Sequence, residues 1–212
     1  GDYSTVFFIA KVLLLIHNSL MRGLIIVDIQ KDLLPGGALP VPKGSEVIPY
    51  INSIMDKFKT VVSTQKSIQR PYDLNSQPLI SAPAYCLHDS LGSELSEDLK
   101  ITKIHKNFIK GFNPLEGTDS GFKNAYDGLN LYQYLKGKQI SEVFVVGLSL
   151  DYAVKETALD AQRLGFKTNI LLRGTRALNF NPNDGTQALQ ELSSEGITIR
   201  ADLPVILYVQ GE

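Results

Sequence analysis

Apolar and polar positions along this 212-residue chain fall into blocks that predict strands and helices in alternation. "GLIIVDI" (23–29) is a continuous apolar run ending in an acid, the pattern of a central parallel strand buried on both faces. "GSEVIPYINSIMDKF" predicts a helix with Ser45 as its cap, and "TVVSTQ" predicts a second strand. From Lys66 to Asp98 prolines and a glycine break any period, so this stretch reads as irregular. "ITKIHKNF" is a candidate third strand; "GLNLYQYLKGKQI" carries a helical period and "EVFVVG" follows it as a strand. "DYAVKETALDAQRLGF" predicts a helix that opens near Asp151 and is closed by Gly165. "KTNILLRG", "NDGTQALQELSSEG" and "ITIRA" then predict a strand, a helix and a short last strand.

Such alternation with short links predicts an α/β fold, three layers with a mostly parallel central sheet between helices. Ligands in these folds bind outside the carboxyl ends of the strands. That edge collects Asp28, Thr64, Gln65, Lys110 and the turn from Leu148 to Ala153. The turn raises a question. A buried strand, Gly147 and a helix start make the place where an α/β enzyme presents a nucleophile, yet Ala153 has no reactive atom.

Residues 1–20 divide from the remainder, 21–212, because they carry an apolar stretch, Val6 to Ile16, broken only by Lys11. Eleven residues cannot span a bilayer, so no transmembrane segment is expected, and the stretch lacks a basic start and a cleavage site for secretion. It reads either as a strand or short helix packed on the domain, or as an arm that docks on a protein partner. The net charge of −1 gives no electrostatic ground for binding nucleic acid, and a single cysteine, Cys86, permits no internal disulfide. An intracellular setting is expected. "GGALPVPKG" lacks the lysine-serine ending of a phosphate loop and reads as a tight turn.

Three segments in order resemble the isochorismatase-like cysteine hydrolase superfamily, which includes nicotinamidases. They are "LIIVDIQKDLLPGGALPVPKGSEVIPYIN", "KGFNPLEGTDSGF" and "VVGLSLDYAVKETALDAQRLGF". The last is similar to the family's G-x-x-T-D-Y-C-V-x-x-T-A-x-D-A signature. The resemblance implies a Rossmann-type three-layer fold. It also implies a cysteine nucleophile at a helix N-terminus, with an aspartate to take its proton, a lysine beside it, and backbone donors around a cis peptide for the oxyanion. Matched position by position, Asp28 is the acid, Lys110 the lysine, and Leu148–Ser149 the cis peptide, with Gln30, Phe122 and Leu150 around the pocket. The nucleophile falls on Ala153.

Other departures accompany it. The resemblance implies a divalent metal held by T-Q-D-x-H and P-x-H-C segments, but here these read "TQKSIQRP" and "PAYCL". Lys66, Ile68 and Tyr85 occupy the ligand positions, and lysine and isoleucine are not metal ligands at neutral pH. No metal or other cofactor is therefore expected. Leu150 replaces the polar residue usual in the nucleophile turn. Asp28 is expected to serve structure, paired with Lys110, although Lys110 also reads as a surface lysine. Cys86 is expected to be a core thiol, and His88 and His105 to be isolated polar residues.

The expectation is a chain without hydrolase activity, a structural or interaction subunit of a larger assembly that contacts its partners through Val6 to Ile16. A homo-oligomer is compatible with the family. Two other readings stay open: a metal-independent hydrolase of small amides or related substrates carrying an introduced cysteine-to-alanine change, and a small-molecule binder using the pocket of Asp28, Lys110 and Phe122.

Overall fold

Strands β1 (Arg22–Val27), β2 (Thr60–Lys66), β3 (Lys106–Lys110), β4 (Glu142–Leu148), β5 (Lys167–Arg176) and β6 (Thr198–Arg200) form one sheet. Their order is β3-β2-β1-β4-β5-β6, and every ladder is parallel. The structure is a computed structural model that describes residues 5–11, 21–68, 85–111, 119–123 and 130–204. Its helices are α1 (5–11), α2 (Val47–Ile54), α3 (Leu131–Gly137), α4 (Lys155–Arg163) and α5 (Asp184–Ser194).

The apolar run of β1 explains the layering. Successive side chains of a strand point to opposite faces. Leu24 and Ile26 accordingly join α2 residues Val47, Ile48 and Ile51 in one core cluster. Ile25 and Val27 join Leu135 of α3, Leu159 of α4 and Leu192 of α5 in the other. The sheet is thus covered on both faces, as the continuous apolar strands require. β1 and β4 are neighbours, and from them the chain winds to opposite edges. The carboxyl ends of this pair are the switch point where such sheets hold ligands.

Gly147 makes the close approach of β1 and β4 feasible. Its φ is +117°, and a Cβ there would collide with the Val27 carbonyl oxygen and amide nitrogen. Gly165 and Gly196, at φ +86° and +80°, follow α4 and α5 as left-handed C-terminal stops.

Several elements differ from the sequence expectation. Ser45 makes no cap bond: the chain enters through a 3-10 turn at Gly44–Glu46, led by Lys43 in the left-handed region, and the α-helix begins only at Val47. Pro49 falls in the first turn of α2, where its missing N–H costs nothing. "ITKIHKNF" is a strand only from Lys106. Ile101–Lys103 is a 3-10 turn turned outward, with Lys103 paired to Asp56, and His105 Nδ1 accepts the Val61 N–H at 3.0 Å. Before α4, Leu150–Val154 form a π-turn.

Residues 5–11 are helical and exposed along their whole length, so over this part the apolar segment does not pack on the domain. Positions 12–16 of it lie outside the described residues. Among the described residues, no helix is long and apolar enough to cross a membrane.

Candidate functional site

Asp28 follows β1 directly, at φ +49°, and is fully buried. Its backbone N–H donates to the Thr64 carbonyl at 3.2 Å, and its Oδ1 accepts the Thr64 hydroxyl at 2.6 Å. Lys110, the last residue of β3, brings its Nζ to 2.7 Å from Asp28 Oδ2, with both side chains only 1% exposed. Lys110 is therefore no surface lysine. The contact is a close, fully buried ion pair. The Lys110 Nζ also donates to the Asp119 carbonyl. Burial pushes the Lys110 pKa down; the Asp28 charge opposes that shift and the Lys66 charge adds to it.

The ladder register sets Lys66 directly beside Lys110. Lys66 ends β2 with a side chain 5% exposed, and its Nζ lies 2.6 Å from Asp119 Oδ1 and 3.1 Å from the Tyr85 hydroxyl. The ammonium also lies 5.2 Å from the centre of the Tyr85 ring, within cation–π range. Burial alone would lower the Lys66 pKa, but Tyr85, Asp119 and Asp28 outweigh it and hold the proton more firmly than usual. Burial would raise Asp119, but Lys66 and Lys110 keep its carboxyl below the ordinary carboxylate value. Two lysines and two aspartates thus close a charge-balanced network across the ends of β1, β2 and β3.

Gln30, also fully buried, is occupied by backbone: its Oε1 accepts the Lys66 N–H at 2.8 Å, and its Nε2 donates to the Lys66 and Ser93 carbonyls, each at 2.7 Å. It pins the end of β2 rather than presenting a free amide. Phe122 is half-buried, 6.1 Å from Phe166 ring to ring, on the apolar cluster behind α3 and α4. Its neighbour Gly121 donates to the Thr157 hydroxyl at 2.9 Å, which ties this loop to α4.

The Leu148–Ser149 peptide is cis. Ala153 is buried in the π-turn, in the same apolar cluster as Leu150 and Val154. The N–H groups of Tyr152 and Val154, on either side of it, both donate to the Ser149 carbonyl, at 3.2 and 3.0 Å. Asp151 anchors the turn: its two carboxylate oxygens accept the Leu178 and Asn179 N–H groups at 2.9 and 2.7 Å.

The single cysteine offers no substitute nucleophile. Cys86 is fully buried in the α2-side core, its N–H donates to Asp32 Oδ2 at 2.6 Å, and burial pushes its thiol pKa well up, with the nearby Asp28 and Asp32 charges adding to the shift. His88 and His105 stay apart. His88 Nδ1 lies 2.8 Å from the Ser67 hydroxyl, while His105 serves the start of β2. Among the described residues no three His, Cys, Asp or Glu side chains converge as metal ligands. The donor set at positions 66, 68 and 85 does not fit a divalent ion, because a protonated lysine has no lone pair to give.

Sequence reasoning placed Thr64 at this edge but missed Asp119 as a member of the network. The signal for Asp119 was present: a lysine inside the "STQK" strand demands a counter-charge, and the lysine loop contains one acid besides Glu116. The bond from Thr64 to Asp28 carried no such signal, because a threonine in a strand is ordinary.

An isochorismatase domain profile matches residues 22–201. A nicotinamidase from Escherichia coli is 32% identical over 199 residues, covering 84% of this chain and 93% of that protein. The Saccharomyces cerevisiae nicotinamidase is 31% identical, covering 84% and 99%. Among solved structures, the yeast nicotinamidase bound to nicotinaldehyde superposes with a TM-score of 0.74 at 29% identity, covering 86% of this chain and all 100% of that one. A Pyrococcus horikoshii pyrazinamidase in complex with zinc does so with a TM-score of 0.67 at 31% identity, covering 85% and 98%.

Proposed function

The chain belongs to the isochorismatase family, and from that premise we propose that it is a member without hydrolase activity that serves as a structural or interaction subunit of a larger assembly. Ala153 carries this reading. It stands at the position of the signature's cysteine, and a methyl group can neither attack a carbonyl carbon nor form a thioester. One further observation supports it: the remaining thiol, Cys86, is sealed in the core. The frame persists because its charges and turns stabilise the fold.

The subunit role draws on α1. Val6, Phe7, Phe8 and Ile9 are 67%, 74%, 53% and 52% exposed, and they precede the span matched by the family profile. Contiguous exposed apolar side chains mark interaction surfaces. Two measurements test the proposal. Incubation with nicotinamide should release no nicotinate, and the endogenous protein should migrate in gentle lysate fractionation well above its 23.4 kDa chain mass with fixed co-migrating chains. Nicotinate release ends the first half of the proposal; migration as a monomer or small homo-oligomer ends the second.

One observation favours a second reading, ligand binding without turnover: the buried charged pair of Asp28 and Lys110 stands intact at the switch point of the sheet. Calorimetry with nicotinamide tests it, and the absence of saturable heat counts against it.

A further inference from the structure

We propose that the Lys66 ammonium is the resident cation of this site, standing where a divalent metal ion would otherwise be held, so that the site is complete without one. Its placement follows from the backbone. Lys66 and Ile68 are two residues apart on an extended segment, which puts their side chains on one face. Ile68 pairs with the segment after Tyr85: its N–H donates to the Cys86 carbonyl at 2.8 Å, and its carbonyl accepts the His88 N–H at 2.9 Å. This pairing carries Tyr85 to Lys66, hydroxyl to ammonium, at 3.1 Å. Lys66 and Tyr85 therefore meet at the end of β2, with Ile68 two residues further along the same extended segment, and lysine is the residue there that brings a positive charge of its own.

The charges agree with the placement. Asp119, the carboxylate that reaches this place, is bound at 2.6 Å by Lys66. Lys110 adds a second ammonium beside it and is already balanced by Asp28. A divalent ion would enter next to two lysine charges that two carboxylates have neutralised, and it would meet an ammonium, a neutral phenol and an aliphatic chain in place of a carboxylate and two imidazoles. The firmly held proton of Lys66 keeps it from becoming a ligand. This inference stands apart from the loss of the nucleophile, since a metal-free site and an absent thiol are separate changes.

The test is metal uptake by the purified full chain. Wild type is incubated with zinc or manganese, gel-filtered, and its metal measured by elemental analysis alongside its melting temperature. The expected result is no stoichiometric ion and no metal-dependent shift in Tm. The variant Lys66→Asp/Ile68→His/Tyr85→His supplies an Asp and two His, three ligands to which water adds the fourth of a tetrahedral zinc site. It should retain about one zinc per chain, with a Tm that rises with zinc and falls with a chelator. A stoichiometric ion in wild type overturns the proposal, and so does a folded triple variant that takes none. The wild-type measurement decides the matter even where the variant fails to fold.

Discussion

Lys66 and Lys110 are register partners across the β2–β3 ladder, two buried lysines side by side at the carboxyl ends of these strands. Like charges so placed repel. They are tolerated because Asp119 binds both, through its carboxylate to Lys66 and its carbonyl to Lys110, while Asp28 balances Lys110 from the other side. The network spans three strands and the loop at 119–123, so it stabilises the end of the sheet where a family member would do chemistry.

Lys66→Met removes one arm of this network. Asp119 is 38% exposed and can be hydrated, so the expected loss is about 1–2 kcal/mol, below the cost of breaking a fully buried pair. Urea unfolding at neutral pH with an unchanged m-value reads it directly. The pH dependence gives a second readout, governed by Asp119, Tyr85, Asp28 and Lys110 around the ammonium. Lys66 has its folded pKa raised above 10.5, so its stabilisation is full below that pH and is lost as pH climbs through the folded value. Asp119 has its folded pKa below 3.8, so its stabilisation is present above that pH and is lost as pH falls through the folded value. Lys66→Met should therefore flatten both limbs of the Tm–pH curve, and limbs identical to wild type would show that the pair contributes nothing.

Asp28→Asn leaves Lys110 as a buried, uncompensated charge and should cost about 3–5 kcal/mol. The double variant Asp28→Leu/Lys110→Met removes both charges and should cost less than the sum of its single changes. A double-mutant cycle by chemical denaturation measures that coupling. A mild single effect would mean that the pair is not kept for stability.

Much of this was legible in the chain. The apolar blocks of β1 and β4 dictate buried parallel strands, and "GLSL" followed by "DYAVKETALDA" marks the turn and helix beside them. The site was partly legible, because Asp28, Lys110 and Ala153 each fall at a motif position. What escaped were contacts set by register and loops. Nothing local in "STQKS" says that Lys66 lies beside Lys110, since that requires the β2–β3 pairing. Ser45 was misread as a cap because a serine before an apolar run is the usual signal, whereas the left-handed Lys43 shifts the helix start to Val47. Gln30, a pocket residue by motif, has its amide taken up by the backbone of residues 66 and 93.

Cys86 should behave as a core thiol. Its burial and the nearby Asp28 and Asp32 charges push its pKa up and oppose thiolate formation at neutral pH. Reaction with a disulfide reagent such as DTNB should be slower by at least about 100-fold in the native protein than in urea. Rapid native labelling would reopen Cys86 as a reactive group.

Ala153→Cys is the most direct challenge to a site without hydrolysis. The new thiol would sit in the π-turn at a buried position among Leu150 and Val154, which disfavours its charged form. The N–H groups of Tyr152 and Val154 are donated to the Ser149 carbonyl, which fixes the turn around position 153. Nucleophile, base and donors must be placed within about half an ångström for turnover, and one sulfur atom does not reset the other parts. The variant should fold with a Tm close to that of wild type and release no more nicotinate from nicotinamide than Ala153 does, measured by chromatography over hours. Turnover in this variant would mean that the missing sulfur alone silences the site, and the idea of a frame retained only for structure would fall.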